Sequence, residues 1–180
     1  MEKQAILAGG CFWCIEAIFK DIIGIISVES GYIGGDVPNP SYEQVCEGKT
    51  GHAEAVRLTF DPEKISYSDI LDLFFDIHDP TQLNRQGDDI GVQYRSAIFP
   101  LDKAQEQVAQ DAIVKAQAHN KKPIATKIEP ASIFYPAEAY HQDYFYQKGQ
   151  ENRYCSIVVA PKIAKFRKSH QDRIKKQASA

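Results

Sequence analysis

Apolar and polar positions along the 180 residues change period several times, and each change marks an element. Gln4–Ala8 is a short apolar run stopped by Gly9-Gly10, which predicts a buried strand. Over Cys11–Lys20, Phe12, Ile15 and Phe19 fall at i, i+3 and i+7, the stripe of an amphipathic helix. Ile25–Ile33 is rich in β-branched residues and closes at Gly34-Gly35, predicting a second strand. Val56, Leu58 and Phe60 alternate with Arg57 and Thr59 as far as Asp61-Pro62, the pattern of a half-buried strand. Ser66 and Asp102 stand where N-caps belong, predicting helices to Phe75 and to Ala118. In the second of these, Ala104, Val108, Ala112 and Ala116 recur at i+4 as the apolar edge. Arg95–Phe99 and Ala125–Ile128 complete the strands, and Ala137–Gln147 reads as one more helix. Strands interleaved with helices predict an α/β or α+β domain. Gly35–Gly51, Asp79–Gln93 and Gly149–Ala160 follow neither period, and long irregular stretches inside a compact domain are usually functional.

Composition narrows the class. A chain that is 43% hydrophobic and 25% charged is an ordinary folded protein and not a disordered one. A net charge of −3 gives no reason to expect nucleic acid or a membrane as partner. No apolar run approaches the roughly 18 residues of a membrane span, and no signal-peptide core precedes Gly9, so a cytoplasmic location is expected. Between Lys162 and Lys176 seven Lys or Arg face one Asp, so this stretch carries +6 and residues 1–161 carry −9. Residues 1–161 are therefore expected to form a single domain, and 162–180 a basic, peripheral C-terminal tail. Four Cys are too few for a disulfide-stapled module.

The four thiols point to chemistry instead. Cys11 lies where a strand turns into a helix, behind two glycines that let the backbone turn tightly. The helix dipole and free N–H groups there favour a thiolate nucleophile. The plainer reading is a buried, inert thiol. Zinc is a poor fit, because Cys11 and Cys14 form one pair while Cys46 and Cys155 stand alone and no His-x3-5-His spacing occurs. Gly48-Lys49-Thr50 resembles the end of a phosphate loop, but Glu43 stands where that loop needs Gly. Glu54, in Thr50-Gly51-His52-Ala53-Glu54, opens the alternating strand beside apolar neighbours. A carboxyl desolvated there keeps its proton near neutrality and can donate it, while the plainer reading of these residues alone is an ordinary surface Glu. His78-Asp79-Pro80-Thr81, Arg85-Gln86-Gly87-Asp88-Asp89 and Gln93-Tyr94-Arg95-Ser96 fit a hydrogen-bonded loop scaffold and the lining of a polar pocket equally well.

Taken together, these residues resemble the A-type peptide methionine sulfoxide reductases from about Ala5 to Val159. Gly10-Cys11-Phe12-Trp13, Gly31-Tyr32, Gly34-Gly35, Asn39-Pro40-Ser41-Tyr42, Gly51-His52-Ala53-Glu54, His78-Asp79-Pro80-Thr81, Arg85-Gln86-Gly87, Gln93-Tyr94-Arg95-Ser96 and His141-Gln142-Asp143-Tyr144 follow the family's order. The resemblance implies a two-layer α/β sandwich with a mixed sheet, in which residues 1–161 are catalytic. It implies reduction of the S epimer of methionine sulfoxide, free or in peptides and proteins. Cys11 then matches the nucleophile, Glu54 the acid, and Tyr42 and Tyr94 the hydroxyls on the sulfoxide oxygen. Phe12 and Trp13 match the apolar wall around the methyl group, and Asp89 a carboxylate that anchors substrate.

The same resemblance implies that Cys155 resolves the sulfenic acid on Cys11, although Arg153 stands where the family usually has Gly. Cys14, found in only some members, is the alternative resolving thiol through its Cys-x-x-Cys spacing, and Cys46 reads as structural. A thioredoxin-type external reductant, no bound cofactor or metal, and a monomeric protein complete the expectation. Two readings from other classes compete with it. A thioredoxin-like disulfide exchanger accounts for Cys11 and Cys14 but not for Glu54 or the tyrosines. A zinc-binding interaction module would use the same cysteine pair.

Overall fold

The computed structural model describes residues 1–176. Along the chain lie β1 (Lys3–Gly9), α1 (Phe12–Lys20), β2 (Ile25–Ile33), α2 (Tyr42–Cys46) and β3 (Ala53–Phe60). Then come α3 (Tyr67–Ile77), the two-residue strands β4 (Arg85–Gln86) and β5 (Asp89–Ile90), β6 (Ser96–Phe99) and α4 (Lys103–His119). β7 (Lys127–Ile128), β8 (Tyr135–Pro136), α5 (Tyr144–Lys148) and α6 (Ala160–Ser169) complete the order. Six strands form one sheet in the order β7-β6-β1-β3-β2-β8, while β4 and β5 pair as a separate hairpin. The β6–β7 pair is parallel and the other pairs are antiparallel, so the sheet is mixed.

The two faces of the sheet are unequal. Ala5, Leu7, Val56, Leu58 and Phe60 meet buried residues of α1, α3, α4 and α6 in the main core. Ile6, Ala8, Ala53, Ala55, Ala97 and Phe99 form a smaller cluster on the other face, against Phe134. Helices therefore cover one side, giving the two-layer sandwich. Strand parity places Glu54 with Val56 and Leu58 on the helix-covered face, directly opposite Tyr32 of β2. That parity is why a carboxylate in an exposed-looking Gly-His-Ala-Glu stretch is only 1% exposed.

Both predicted N-caps form. Ser66 and Asp69 make a reciprocal capping box at α3, and the Asp102 carboxylate accepts from the Gln105 amide at 2.7 Å. Four expectations change. In α4, Ala104 is exposed and the buried edge runs through Gln105, Ala109, Ala112 and Ala116. Gln105 tolerates burial because its side chain accepts from Leu101 N–H and donates to Gln4 O. The single helix expected over 137–147 is a 3-10 turn, Ala139–His141, followed by α5, with Asp143 between them at φ 57°. The Asp143 amide donates to Glu16 Oε1 at 2.8 Å instead of to the carbonyl four residues back, so the helical ladder gives way to a tertiary hydrogen bond. None of the three stretches expected to be irregular is wholly so: α2 lies within Gly35–Gly51, the β4–β5 hairpin within Asp79–Gln93, and in Gly149–Ala160 Cys155–Val159 is a π-helical turn leading directly into α6.

The fourth change concerns the C-terminal segment. Ile163 and Phe166 of α6 are buried in the main core, Arg167 pairs with Asp21, and Lys175 Nζ donates to Lys20 O and Ile25 O, both at 2.8 Å. Lys175 thus binds carbonyls around the end of α1, where the helix dipole favours a cation. Residues 162–176 are a packed part of the domain and not the peripheral tail expected. Residues 177–180 of that tail lie outside the described residues.

Candidate active site

Where β1 ends, the chain turns sharply into α1 and leaves Cys11 at the helix N-cap. Gly10 makes that turn at φ 96°, and a Cβ there would stand 2.8 Å from Gln86 Cγ, so both conformation and space require glycine. The first helical amide, Phe12 N–H, donates to Glu54 Oε2 at 3.0 Å. This bond draws the carboxyl of β3 beside the Cys11 thiol.

Glu54 titrates far from a surface carboxylate. Burial pushes its pKa from the ordinary 4.5 up to about 8; the Phe12 amide opposes this and the Asp89 charge adds to it. Glu54 is thus a neutral acid at pH 7. Burial also raises Cys11 well above the usual thiol range, with the charge of Glu54 as the next cause. This corrects the sequence expectation of a ready thiolate. The helix N-terminus does act, through the Trp13 amide, but desolvation outweighs it. Both members of the pair are protonated at rest.

A cavity of about 270 Å³ opens over this pair. Seven of the nine residues singled out in the sequence line it: Cys11, Phe12, Trp13, Tyr42, Glu54, Asp89 and Tyr94. Tyr42 arrives on α2, whose capping box of Ser41 and Gln44 is joined by Glu138 accepting from the Tyr42 amide at 3.2 Å. Tyr94 arrives on a 3-10 turn, Val92–Tyr94, and Asp89 on the β4–β5 hairpin. Burial, then the Glu54 charge, raises both Tyr42 and Tyr94, so their hydroxyls keep their protons and can donate. Phe12 is fully buried, serving the core as well as the cavity wall. Trp13 stacks on Tyr144 at 3.9 Å between ring centroids and 8° between planes.

The other two residues lie off the cavity. Cys14 is 6% exposed, and burial raises it to about 11. Cys155 is fully buried in the main core, and all four cysteines are free thiols. Cys46 is exposed. Among the described residues no three His, Cys, Asp or Glu side chains converge as a metal site.

Two lining residues had not been singled out: Asn152 and Tyr154. The Tyr154 hydroxyl donates to Asp89, and its ring meets Trp13 edge-on at 6.1 Å. Asn152 donates to the Tyr144 hydroxyl at 2.9 Å and accepts from the Tyr154 and Cys155 amides. Their only sequence signal was adjacency to Cys155. The loop motifs left open between scaffold and pocket divide. His78 joins Phe74 O to the Ser96 and Thr126 hydroxyls, with burial lowering it to about 4, so it stays a neutral link. The Gln86 amide binds the Asp79 backbone, and Arg95 forks onto Glu129. His52 ties Gly35 N–H to Val37 O at the start of the loop leading to Tyr42. These four are scaffold, while Asp89 and Tyr94 face the cavity.

A family model described as "Peptide methionine sulfoxide reductase" matches residues 3–175. "Peptide methionine sulfoxide reductase MsrA" of Erwinia tasmaniensis is 61% identical over 166 residues, covering 92% of this chain and 93% of the relative. The structure of Mxr1 from Saccharomyces cerevisiae in reduced form superposes with TM-score 0.78 at 38% identity, covering 83% of this chain and 87% of the other. Mxr1 in complex with Trx2 superposes with TM-score 0.57 at 27% identity, covering 79% and 84%.

Proposed function

Since this chain belongs to the peptide methionine sulfoxide reductase family, we propose that it reduces methionine S-sulfoxide, free and in peptides or proteins, with Cys11 as nucleophile and Glu54 as acid. The observation that carries the residue assignment is the pair itself, a half-buried thiol and a buried neutral carboxylic acid that line one cavity. Oxide is a poor leaving group, and a sulfoxide sulfur accepts a nucleophile only as its oxygen is protonated. Glu54 gives that proton, and the Tyr42 and Tyr94 hydroxyls donate to the oxygen as charge grows on it. Phe12 and Trp13 wall the methyl group, and Asp89 anchors the rest of the substrate.

As Cys11 Sγ bonds to the sulfoxide sulfur, the thiol proton returns to Glu54. Transfer of oxygen to Cys11 then leaves the thioether and a Cys11 sulfenic acid, with no net gain or loss of protons. The Cys155 thiol displaces water from that acid to form a disulfide, and an external thioredoxin-type dithiol reduces it by exchange. The solved complex of the yeast relative with Trx2 supports such a reductant for this chain. No bound cofactor enters the cycle. Cys14, one helical turn from Cys11, is the second candidate for resolution. Residues 1–161 supply all these groups, in a monomer. No helix among the described residues is long and apolar enough to cross a membrane, and chemistry that depends on reduced thiols suits the cytoplasm.

Glu54→Gln tests the proposal, since Gln keeps an acceptor for Phe12 N–H but carries no acidic proton. Formation of the Cys11 sulfenic acid in single turnover is expected to slow about 100- to 10,000-fold. In the wild type the same rate is expected to fall as pH rises through about 8, where Glu54 ionises. A rate that climbs from pH 8 to 9, or a Gln variant as fast as wild type, removes Glu54 from the role.

A further inference from the structure

Seven Lys or Arg lie between Lys162 and Lys176, and the fold uses three of them. Arg167 pairs with Asp21, Arg173 with Asp69, and Lys175 with the carbonyls of Lys20 and Ile25. Lys162, Lys165 and Lys168 have no ion-pair partner among the described residues, although residues 1–161 carry −9. A solvated helix face is the ordinary fate of such lysines. Their place in the fold gives them more.

α6 continues the π-helical turn that carries Cys155, and Ile163 and Phe166 fix its buried side in the main core. Away from that core Ile157, Pro161, Ala164, Lys165 and Lys168 are all exposed, at i, i+4, i+7, i+8 and i+11 of one helical face. The stripe is apolar beside Cys155, where Ile157 is 60% exposed, and basic farther along. Lys162 flanks it, near enough to Cys14 that its charge pulls that thiol down against burial. Whichever of Cys155 and Cys14 closes a disulfide with Cys11, the bond to be reduced lies at the head of the stripe.

Phosphate surfaces are bound through charge, whereas an apolar patch with charged surroundings is how protein interfaces are built. Protein substrates carry methionine sulfoxide on surfaces of every charge, so a fixed basic stripe serves them poorly. The partner that must dock here in every cycle is the dithiol that reduces the disulfide.

We propose that this face of α6 is the docking surface for that reductant, a dithiol protein with acidic residues around its reactive thiol. Ile157 meets apolar surface beside that thiol, and Lys165 and Lys168 steer its approach. The inference rests on the proposed recycling by an external dithiol. Once docked, the partner's thiolate bonds to one sulfur of the disulfide and releases the other as a thiol. Its second thiol then displaces the chain, so two electrons and two protons pass to this protein's cysteines and the partner leaves as a disulfide.

The probe is a thioredoxin of net negative charge, with dithiothreitol as a small neutral control. Titration of the resting chain with the oxidised thioredoxin reads the surface without any turnover. At low salt, Lys165→Glu/Lys168→Glu is expected to weaken this binding about tenfold and to slow reduction of the disulfide by about the same factor. The difference should fade at high salt, and Lys165→Arg/Lys168→Arg should behave as wild type. Ile157→Thr should weaken binding about tenfold at every salt concentration. Sulfenic acid formation and reduction by dithiothreitol should be unchanged in all of these variants. A Glu variant that binds and recycles like wild type overturns the proposal, as does slowing shared with dithiothreitol or unchanged binding in Ile157→Thr. Retention of wild type, but not of the Glu variant, on phosphatidylglycerol vesicles or RNA, with recycling unchanged, gives the lysines to that partner instead and also overturns it. If one equivalent of methionine sulfoxide yields no disulfide, the recycling scheme itself fails, while the titration still reads the surface.

Discussion

The floor and the roof of the cavity are held in opposite ways. Cys11, Phe12 and Glu54 come from the β1–α1 junction and β3, with α1 and the central strands locked into the main core. Asn152 and Tyr154 close the cavity from a segment attached by side chains: Asn152 to Tyr144, and Tyr154 to Asp89. Behind them Cys155 and Val159 are buried, but Ile157 of the same π-helical turn is 60% exposed. In the proposed cycle this contrast has a physical reason. Groups that must meet the sulfoxide together gain from a rigid frame, since misplacement by about 1 Å is costly. A thiol that must arrive only after oxygen transfer gains from an attachment that opens locally at small cost. A π turn, rare in proteins and most frequent at functional sites, is a natural place for that opening.

The contrast breaks most visibly at Cys155. Cys155→Ser is expected to release about one methionine per chain and then stop, with Cys11 left as sulfenic acid, while Cys14→Ser keeps turning over with the external dithiol. Peptide mapping after one equivalent of substrate should find a Cys11–Cys155 disulfide. A Cys11–Cys14 bridge alone transfers the resolving role to Cys14.

The next largest effect belongs to the floor and concerns stability. Glu54 folds with a pKa near 8 against an ordinary 4.5, so the folded state holds a proton that the unfolded chain releases. The resulting penalty is absent below pH 4.5, grows as pH rises and is complete above 8. Glu54→Gln removes it, so the variant that loses activity is expected to gain up to about 3 kcal/mol at pH 7 in denaturant unfolding. Equal midpoints for both proteins at pH 5 and at pH 8 would refute a buried neutral acid.

The smallest effect is expected at the roof. Tyr154→Phe removes the bond to Asp89 but keeps the ring, and should change global stability by no more than about 1 kcal/mol. Disulfide formation should nevertheless become faster relative to sulfenic acid formation, read by quenched-flow thiol counting. Slower disulfide formation would mean that the Tyr154 bond guides the segment inward and does not hold it back.

Periodicity made most of the sheet and α1, α3 and α4 legible, because those patterns record which face is buried. It failed where tertiary hydrogen bonds outcompete the helical ladder, as between Ala137 and Gln147. It failed again where basic residues conceal an apolar pair, Ile163 and Phe166, at i, i+3. The cavity residues Cys11, Glu54, Tyr42, Tyr94, Phe12, Trp13 and Asp89 were legible through motif order. Asn152 and Tyr154 were not, because a polar or aromatic residue in an irregular stretch carries no sign of where its side chain ends.

By itself the sequence determined the residue types and their order: a Cys behind two glycines at a strand end, a Glu opening a strand, tyrosines in two loops. These choices set which backbone turns are open to the chain and which proton donors it owns. Tertiary structure alone decided the protonation of the pair. Cys11 at a helix N-terminus reads as a thiolate when only local dipoles are weighed, and Glu54 reads either as an ordinary surface carboxylate or as a desolvated acid. In the fold Glu54 loses solvent and meets the charge of Asp89, Cys11 loses solvent beside Glu54, and both keep their protons. Desolvation depends on everything that surrounds a group, and neighbours 42 residues apart in the chain are brought together only by the fold.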